Sequence, residues 1–417
     1  MSTITLQKSL AHHLDLPDPV LNCKEIEFIV RLSRRCLGES NLSAARDLIG
    51  GDLNWKYIFE AACFHGVFPA FYRNVKKHFW HSLPMTLAND LSLRNMQATH
   101  HTMALVGTFQ VFHAELEKRN IRSSVFKGPA LDTTAYGGTL LREFSDVDVL
   151  VAKDDVRKVE QILLDMGYSP APCRQSQLLE VFCQSEKFLE VTSEQSFVRT
   201  SPSGLIDLHW QVQPRHVLPI ETEDVLKTSV AINLENQQVR TIEPNLLLIV
   251  LAAHACRHSW KRLLWICDIA ELIDSHQFDW QKIFSTSDRL GVTDMVVVSL
   301  MLANGIYGSA IPELTPMASK SKLEAVCLEI MDNFSVLDLG GHGSSLRHWR
   351  SCTRLKSGWF SKMRYLCTEF LKPNIADVMR LTLPDSLFLA YYILHPTWIL
   401  YDAIARRIRE QLERLHG

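Results

Sequence analysis

The chain has 417 residues, a formal net charge of −2 and a hydrophobic fraction of 47%. This balance excludes an intrinsically disordered protein, which requires low hydrophobicity or high net charge, and a strongly basic nucleic-acid-binding protein. Two or three domains are expected, because a typical domain has roughly 150 residues.

The N-terminal region, residues 1–119, is predicted to be helical, because apolar residues recur at a spacing of three to four. Its longest segment of this kind, Leu87–Arg119, contains no proline. Residues 1–16 lack the continuous apolar stretch that a secretory signal requires. The ten cysteines form no C-x-x-C pair, so we expect reduced thiols in a cytoplasmic protein.

The central region, residues 120–242, changes in character and predicts a mixed α/β sheet. A β-prone segment, Ile121–Phe126, leads into Lys127-Gly128-Pro129 and a short helix. A strand, a helix and two further strands are predicted over 144–151, 154–166, 188–198 and 205–212. This order is typical of a sheet that combines parallel and antiparallel strands.

The C-terminal region, residues 243–417, is again predicted to be helical, with a mobile glycine-rich loop at 340–345. Leu387–Ala403 is rich in apolar residues but contains Pro396, and four arginines follow it. One interpretation is a buried helix pair broken at the proline. The other is peripheral contact with an anionic membrane surface. We therefore predict an α+β chain, mostly helical, with an α/β core between two helical regions.

The segment with the strongest chemical signal is Phe144–Val151. Alternation along a strand places Asp146 and Asp148 on one face and the intervening valines on the other, towards a core. Two neighbouring carboxylates repel each other unless a cation lies between them, and Mg²⁺ commonly bridges carboxylates to substrate phosphates. The alternative is an exposed strand face with two solvated aspartates.

Two further segments carry polar groups that would complete such a site. Lys127 and Gly128 precede a helix whose exposed N–H groups attract phosphate, although a plain turn is the alternative. Asp207 and His209 share one face of a later strand and would bring a third carboxylate. Their alternative is an edge-strand aspartate beside a packed histidine.

A lower-ranked group lies in the C-terminal helices. His254 and His258 are one helical turn apart, a spacing that can bind zinc, although the glutamate of the zinc-protease motif is absent. Asp268 follows on the next predicted helix. These three residues are interpreted either as the lining of a nucleotide or acceptor pocket or as a hydrogen-bonded interior cluster.

The K-G segment, the R-x-x-x-D-h-D-h strand and the later h-D-L-H-W strand together resemble the DNA polymerase beta-like nucleotidyltransferase superfamily, and most closely a poorly characterised bacterial branch. The resemblance covers roughly residues 120 to 275. It implies that Asp146, Asp148 and Asp207 bind Mg²⁺ or Mn²⁺ and carry catalysis. Nucleotide binding would fall to Lys127, Gly128, Arg142 and Ser145, and the substrate pocket to His209, His254, His258 and Asp268.

The activity that the resemblance implies is transfer of a nucleoside monophosphate from a nucleoside triphosphate, with ATP expected, to an acceptor hydroxyl. The acceptor would be a protein, a sugar or a small molecule rather than a long nucleic acid, and Asp207 is a candidate general base. Pro129 departs from the superfamily, which has Ser or Gly there. That departure supports the alternative of a catalytically degenerate nucleotide-binding or scaffold protein, docked on a membrane-associated biosynthetic complex.

Overall fold

The computed structural model describes residues 23–171, 182–200, 203–313, 320–335, 344–356 and 358–416. The described chain is mostly helical around a mixed five-stranded sheet, which confirms the predicted α+β class. Five helices precede the first strand: α1 (Lys24–Leu32), α2 (Glu39–Ile49), α3 (Trp55–Phe64), α4 (Phe68–His78) and α5 (Met85–Lys118).

The central part carries the sheet and a separate hairpin. Its elements are β1 (Ser123–Val125), α6 (Gly128–Tyr136), β2 (Val147–Val151), α7 (Val156–Asp165), β3 (Ser169–Ala171), α8 (Glu186–Val191), β4 (Glu194–Thr200), β5 (Ser203–His209), α9 (Thr222–Thr228), β6 (Val230–Leu234) and β7 (Gln237–Thr241). The sheet has the order β1-β2-β5-β4-β3, and β6 and β7 pair with each other. Only β2 and β5 are parallel neighbours among the paired strands that the structure describes.

The remaining elements are helices. They are α10 (Pro244–Arg257), α11 (Leu263–Ser275), α12 (Trp280–Arg289), α13 (Thr293–Tyr307), α14 (Lys320–Asp332), α15 (Ser344–Leu355), α16 (Trp359–Leu371), α17 (Ile375–Arg380) and α18 (Tyr391–His416). Glu243 caps α10, since its side chain accepts a hydrogen bond from the Leu246 N–H, and Pro244 occupies the first turn. Residues 340–343 of the predicted mobile loop lie outside the described residues.

Strand β2, near the centre of the sheet, is buried on both faces. Val147, Val149 and Val151 pack into a hydrophobic cluster with Ile206 and Leu208, as the alternation predicts. Helices α5 and α7 contribute to that cluster, while a larger cluster is built mainly from the N-terminal helices and α10, α11 and α13. The polar face of β2 and β5 therefore lies between two apolar cores, which restricts its access to water.

Two predicted elements were wrong. Residues 186–191 form α8 rather than a strand, because Ser185 caps a helix by accepting a hydrogen bond from the Phe188 N–H. Pro396 does not break the C-terminal segment into two helices, because α18 runs through it. Burial of Tyr391 and His395, which both precede the proline, offsets the hydrogen bond that the proline cannot donate.

The cysteines depart from the expected reduced state at one position. Cys183 is disulfide-bonded, whereas the other eight cysteines in the described ranges are free. A disulfide requires two sulfur atoms brought together by the fold, and the spacing of cysteines in a sequence does not reveal that approach.

Candidate functional site

The polar face of β2 and β5 brings two of the predicted carboxylates together. Asp148 and Asp207 are direct partners in the parallel register of these strands. Asp146 comes immediately before β2 and is partly buried. The side chains of Asp148 and Asp207 therefore start from neighbouring Cα positions at the centre of the sheet.

Two cationic or polar side chains contact the same oxygen of Asp148. The Lys127 Nζ lies 2.6 Å from Asp148 Oδ1, and the His209 Nε2 lies 3.0 Å from it. Burial alone would raise the pKa of Asp148, but Lys127 and His209 hold it well below its usual range. Asp148 is therefore a buried carboxylate that keeps its negative charge. The pairing of Lys127 with Asp148 was not predicted from the sequence.

His209 is held on a second side by strand β4. Its Nδ1 lies 3.2 Å from the Glu194 Oε2, which is its register partner across the strands. The Phe126 ring packs edge-on against the imidazole at a centroid distance of 5.1 Å. The imidazole is oriented by the hydrogen bond between Nε2 and Asp148 and by the Phe126 ring, while Nδ1 lies near Glu194 without forming a hydrogen bond within the described residues.

Asp146 has the opposite electrostatic environment from Asp148. Burial, the charges of Asp148 and Asp207 and a hydrogen bond to Asp207 raise its pKa to about 7, against the opposing effect of Lys127. Two carboxylates held close together repel each other, and this repulsion is relieved when one of them is protonated. Asp146 therefore carries a proton over much of the range below neutral pH.

The group of side chains fits a divalent cation. Ligand atoms of Asp148, Asp207 and His209 lie within 4.8 Å of one another. The Asp207 Oδ1 is buried and has no hydrogen-bond partner within the described part of the chain, an arrangement that is costly unless another group is bound there. Two of the three predicted carboxylates, Asp148 and Asp207, thus lie together with His209, and metal binding by Asp146 beside them stays a prediction.

The turn before helix α6 packs closely against this site. Gly128 has a φ of +50°, and a Cβ added to it would lie 3.1 Å from the Asp146 carbonyl oxygen. Pro129 occupies the first turn of α6, where its missing N–H leaves no intrahelical bond unmade. Gly128 thus permits the close approach that places Lys127 over Asp148.

We expect Gly128→Ala to destabilise the protein by about 2 kcal/mol, because the alanine would add a backbone contact to the strain of a positive φ. Gly138→Ala is the matched control, since Gly138 has a φ of +67° but open space around its Cβ position. Urea unfolding measures both. Equal losses in the two variants would show that the Asp146 contact is unimportant.

The Arg142 side chain lies in the interior of the protein. Its Nε and second terminal nitrogen each donate to one oxygen of Asp268 at 2.9 Å. Tyr136 donates its hydroxyl to the same carboxylate at 2.8 Å, and Asp132 accepts from the Arg142 backbone N–H at 3.2 Å. Asp268 thus lies in a buried cluster with Arg142 and Tyr136, and this cluster positions the loop that leads to Asp146. Nucleotide binding by Arg142 and substrate contact by Asp268 stay predictions.

His254 and His258 lie in contact, with ring centroids 4.7 Å apart. Gln213 hydrogen-bonds the Nδ1 of His254 at 3.1 Å. Burial, together with the positive charge of Lys127, holds the pKa of His254 well below its usual value, so its imidazole is neutral. His258 is exposed, as is Ser145 beside Asp146. Their substrate contacts stay predictions.

The raised pKa of Asp146 predicts a pH dependence of stability. A carboxyl group whose pKa rises on folding contributes stability below its ordinary pKa of 3.8, and that contribution is lost as the pH rises through about 7. We expect the unfolding free energy of the metal-free protein to fall by about 2 to 4 kcal/mol between pH 4 and 8 from this group. Urea unfolding across that range should show a smaller fall for Asp146→Asn. The exposed Asp288→Asn control should match the wild type, and an unchanged slope in Asp146→Asn would contradict the assignment.

Comparison with known families gives one match. A family model described as "Uncharacterised nucleotidyltransferase" matches residues 51–308, well over half of the chain. The matched span contains the whole sheet, helix α6 and the three aspartates, while α14 to α18 lie beyond it. No curated protein matches the chain.

Proposed function

The chain belongs to the family of uncharacterised nucleotidyltransferases, and we propose that it transfers a nucleoside monophosphate from a nucleoside triphosphate to an acceptor hydroxyl, releasing pyrophosphate. The observation that carries this proposal is the buried group of Asp148, Asp207 and His209 with an unpartnered carboxylate oxygen. ATP is the expected nucleotide. The acceptor is a protein, a sugar or a small molecule.

A divalent cation, Mg²⁺ or Mn²⁺, would be held by Asp148 and Asp207, with His209 and Asp146 beside it. Bound there, it would act as a Lewis acid towards the phosphates. Mg²⁺ prefers oxygen ligands, such as those of the two aspartates. An imidazole ligand, such as that of His209, suits the later transition metals better than it suits Mn²⁺. The fit of a cation to this site is supported by the buried Asp207 Oδ1, which has no hydrogen-bond partner among the described residues.

Lys127 and Ser145 are the groups proposed to bind the triphosphate. The Lys127 ammonium already lies against Asp148 and would offset phosphate charge in a water-restricted site. Ser145 is exposed next to Asp146 and offers a hydroxyl donor. Pro129 supplies no N–H at the start of α6, so the phosphate contacts rely more heavily on the lysine.

Asp146 is the proposed acceptor of the proton from the attacking hydroxyl. Its pKa of about 7 is the property that a base working near neutral pH requires. Asp207, the other candidate base, belongs to the group proposed to hold the cation with Asp148 and His209. The O–P bond to the acceptor forms as the bond between the α- and β-phosphates breaks, and the proton passes to the carboxylate.

The test is calorimetric titration of each nucleoside triphosphate into the purified chain, with Mg²⁺, with Mn²⁺ and with EDTA. Binding that requires the cation supports the proposal. Absence of binding for every nucleotide by folded protein would overturn it and favour the scaffold function. Two observations favour that second candidate: Pro129 stands at the start of α6, and Lys127 pairs with Asp148.

A second property proposed for the chain is peripheral contact with an anionic membrane through α18. No helix in the described ranges is long and apolar enough to cross a bilayer. One face of the α18 region nevertheless exposes large apolar side chains: Leu389, Ile393, Leu400, Tyr401, Ile404 and Ile408. After residue 403 the sequence contains four arginines and two glutamates. An apolar stripe beside basic residues suits an anionic lipid surface.

We expect Ile393→Gln/Leu400→Gln/Ile404→Gln to reduce co-sedimentation with vesicles containing phosphatidylglycerol by about tenfold, because three buried apolar contacts with lipid are lost. The matched control replaces Met96, Met103 and Val111 of α5, which are exposed to a similar degree. Equal binding by both triple variants, or no binding by the wild type, would remove the membrane from this proposal.

A further inference from the structure

A cleft of about 1270 Å³ lies beside the candidate site. Strand β4 forms one wall through Glu194 and Ser196, and the end of α16 forms another through Thr368, Glu369 and Lys372. The volume exceeds that of a typical small-molecule site, which is roughly 300 to 1,000 Å³. The cleft can therefore accommodate a substrate in addition to any group bound at the carboxylates.

The β4 wall connects this cleft to the candidate site. Glu194, which lines the cleft, lies 3.2 Å from the His209 Nδ1. Ser196, on the same wall, is the register partner of Asp207. At this wall of the cleft, the Glu194 side chain therefore lies between the cleft and the groups proposed to bind the metal and the nucleotide.

The same cleft also gathers positive charge. Lys153, Arg215 and Lys372 all line it. Burial lowers the pKa of Lys372, and repulsion by Arg215 and Lys153 lowers it further, against the attraction of Glu190. Cations brought this close to one another are stabilised when an anion lies among them.

The acidic side chains of the cleft offset this cluster only in part, with Glu190 attracting Lys372. Glu221 pairs with Arg215, while Glu369 accepts a close contact from the ring of His216. In the part of the chain that the structure describes, Lys153 and Lys372 have no ion pair within 4 Å. Two of the three cations therefore keep their charge available for a bound anion.

We infer that Lys153, Arg215 and Lys372 form an anion-binding subsite that holds a phosphate group of the acceptor substrate. The term acceptor rests on the proposed function. The triphosphate is proposed to bind at Lys127, near the carboxylates, so the distant cluster is available to the second substrate. Lys372 also lies outside the family match, which makes the subsite a feature added by the C-terminal helices.

The inferred substrate is a phosphorylated molecule with a free hydroxyl. Its phosphate is held at the cation cluster, and its hydroxyl reaches along the β4 wall towards Asp146. The hydroxyl oxygen forms the new bond to the α-phosphate, its proton passes to a carboxylate, and pyrophosphate leaves. Anchoring by the phosphate orients the hydroxyl for the reaction and lowers the entropic cost of bringing the two substrates together.

The experiment compares two triple variants that remove the same charges. The first is Lys153→Ala/Arg215→Ala/Lys372→Ala. The control is Lys56→Ala/Lys77→Ala/Arg289→Ala, whose side chains are exposed on distant helices. Inorganic phosphate and glycerol 3-phosphate are titrated into each protein in EDTA, with ³¹P line broadening as the readout. ATP with Mg²⁺ is titrated separately by calorimetry, and thermal melting checks the folding of each variant.

We expect the cleft variant to bind both phosphates about tenfold more weakly than the wild type and the control, with ATP affinity changed by less than about twofold. A single Lys372→Gln variant, expected to weaken binding about threefold, serves if the triple variant does not fold. Phosphate binding that is absent from the wild type, or equal in the cleft variant, would overturn the subsite.

A parallel loss of ATP binding would assign the cluster to the triphosphate and overturn the assignment to the acceptor. Failure of the proposed function is distinguishable from both results. In that case the wild type binds no nucleotide in the calorimeter, whereas its phosphate binding at the cleft is retained.

Discussion

Asp148→Asn should weaken metal-dependent binding of nucleoside triphosphate by roughly a hundredfold or more, because the loss of a carboxylate ligand removes several kcal/mol of cation binding. Asp148 is the carboxylate that Lys127 and His209 both contact and that keeps its charge when buried. Calorimetric titration of ATP with Mg²⁺ measures the effect. Asp288→Asn, at an exposed position on α12, is the control and should bind as the wild type does.

A second variant separates the loss of the ligand from damage to the fold. Asp148→Asn leaves the Lys127 ammonium buried without its counter-charge, which is itself destabilising. Asp148→Asn/Lys127→Met removes both charges and should recover much of the stability, while nucleotide binding stays lost because Asp148 and the proposed phosphate ligand Lys127 are both absent. Recovery of binding together with stability would show that Asp148 acts only through folding.

Arg142→Met should destabilise the protein by about 3 to 5 kcal/mol, because it leaves Asp268 as a buried charge without its bidentate partner. Both side chains of this pair are almost completely inaccessible to water. Arg142→Lys should recover little, since an ammonium cannot form the two parallel hydrogen bonds of a guanidinium. Urea unfolding of these variants gives the comparison.

A double replacement tests whether the loss comes from the unpaired charge. Arg142→Met/Asp268→Leu removes both ions and should be more stable than Arg142→Met alone, although Tyr136 then loses its acceptor. A loss below about 1 kcal/mol for Arg142→Met would show that the ion pair does not hold the loop before Asp146 in place.

Much of the candidate site could be predicted along single strands. The alternation of Val147 to Val151 predicts which face is apolar, and the structure places the valines in the core. The alternation of side chains with a period of two is a local property of extended backbone. It can therefore be predicted without knowing which strands are neighbours. The K-G turn was likewise predictable, because a glycine before a proline is a strong signal for a turn that opens a helix.

The failures have a common physical origin. The interval 188–198 contains apolar residues at a spacing that suits a strand, yet a serine cap commits its first part to α8. The pairing of Arg142 with Asp268, which the fold brings to it from α11, was not predicted. Both outcomes depend on which group pairs with an unpaired backbone donor or a buried charge. A local sequence pattern contains no information on the groups that the fold brings from distant parts of the chain.

By itself, the sequence determined the composition class, the helical flanks, the apolar face of β2 and the presence of carboxylates at 146, 148 and 207. Tertiary structure alone decided that Asp148 and Asp207 are register partners, that His209 joins them, and that Lys127 supplies the opposing charge. The reason is that strand pairing and helix packing join residues far apart in the chain. The pKa of a buried carboxyl group depends on those neighbours rather than on its position in the sequence.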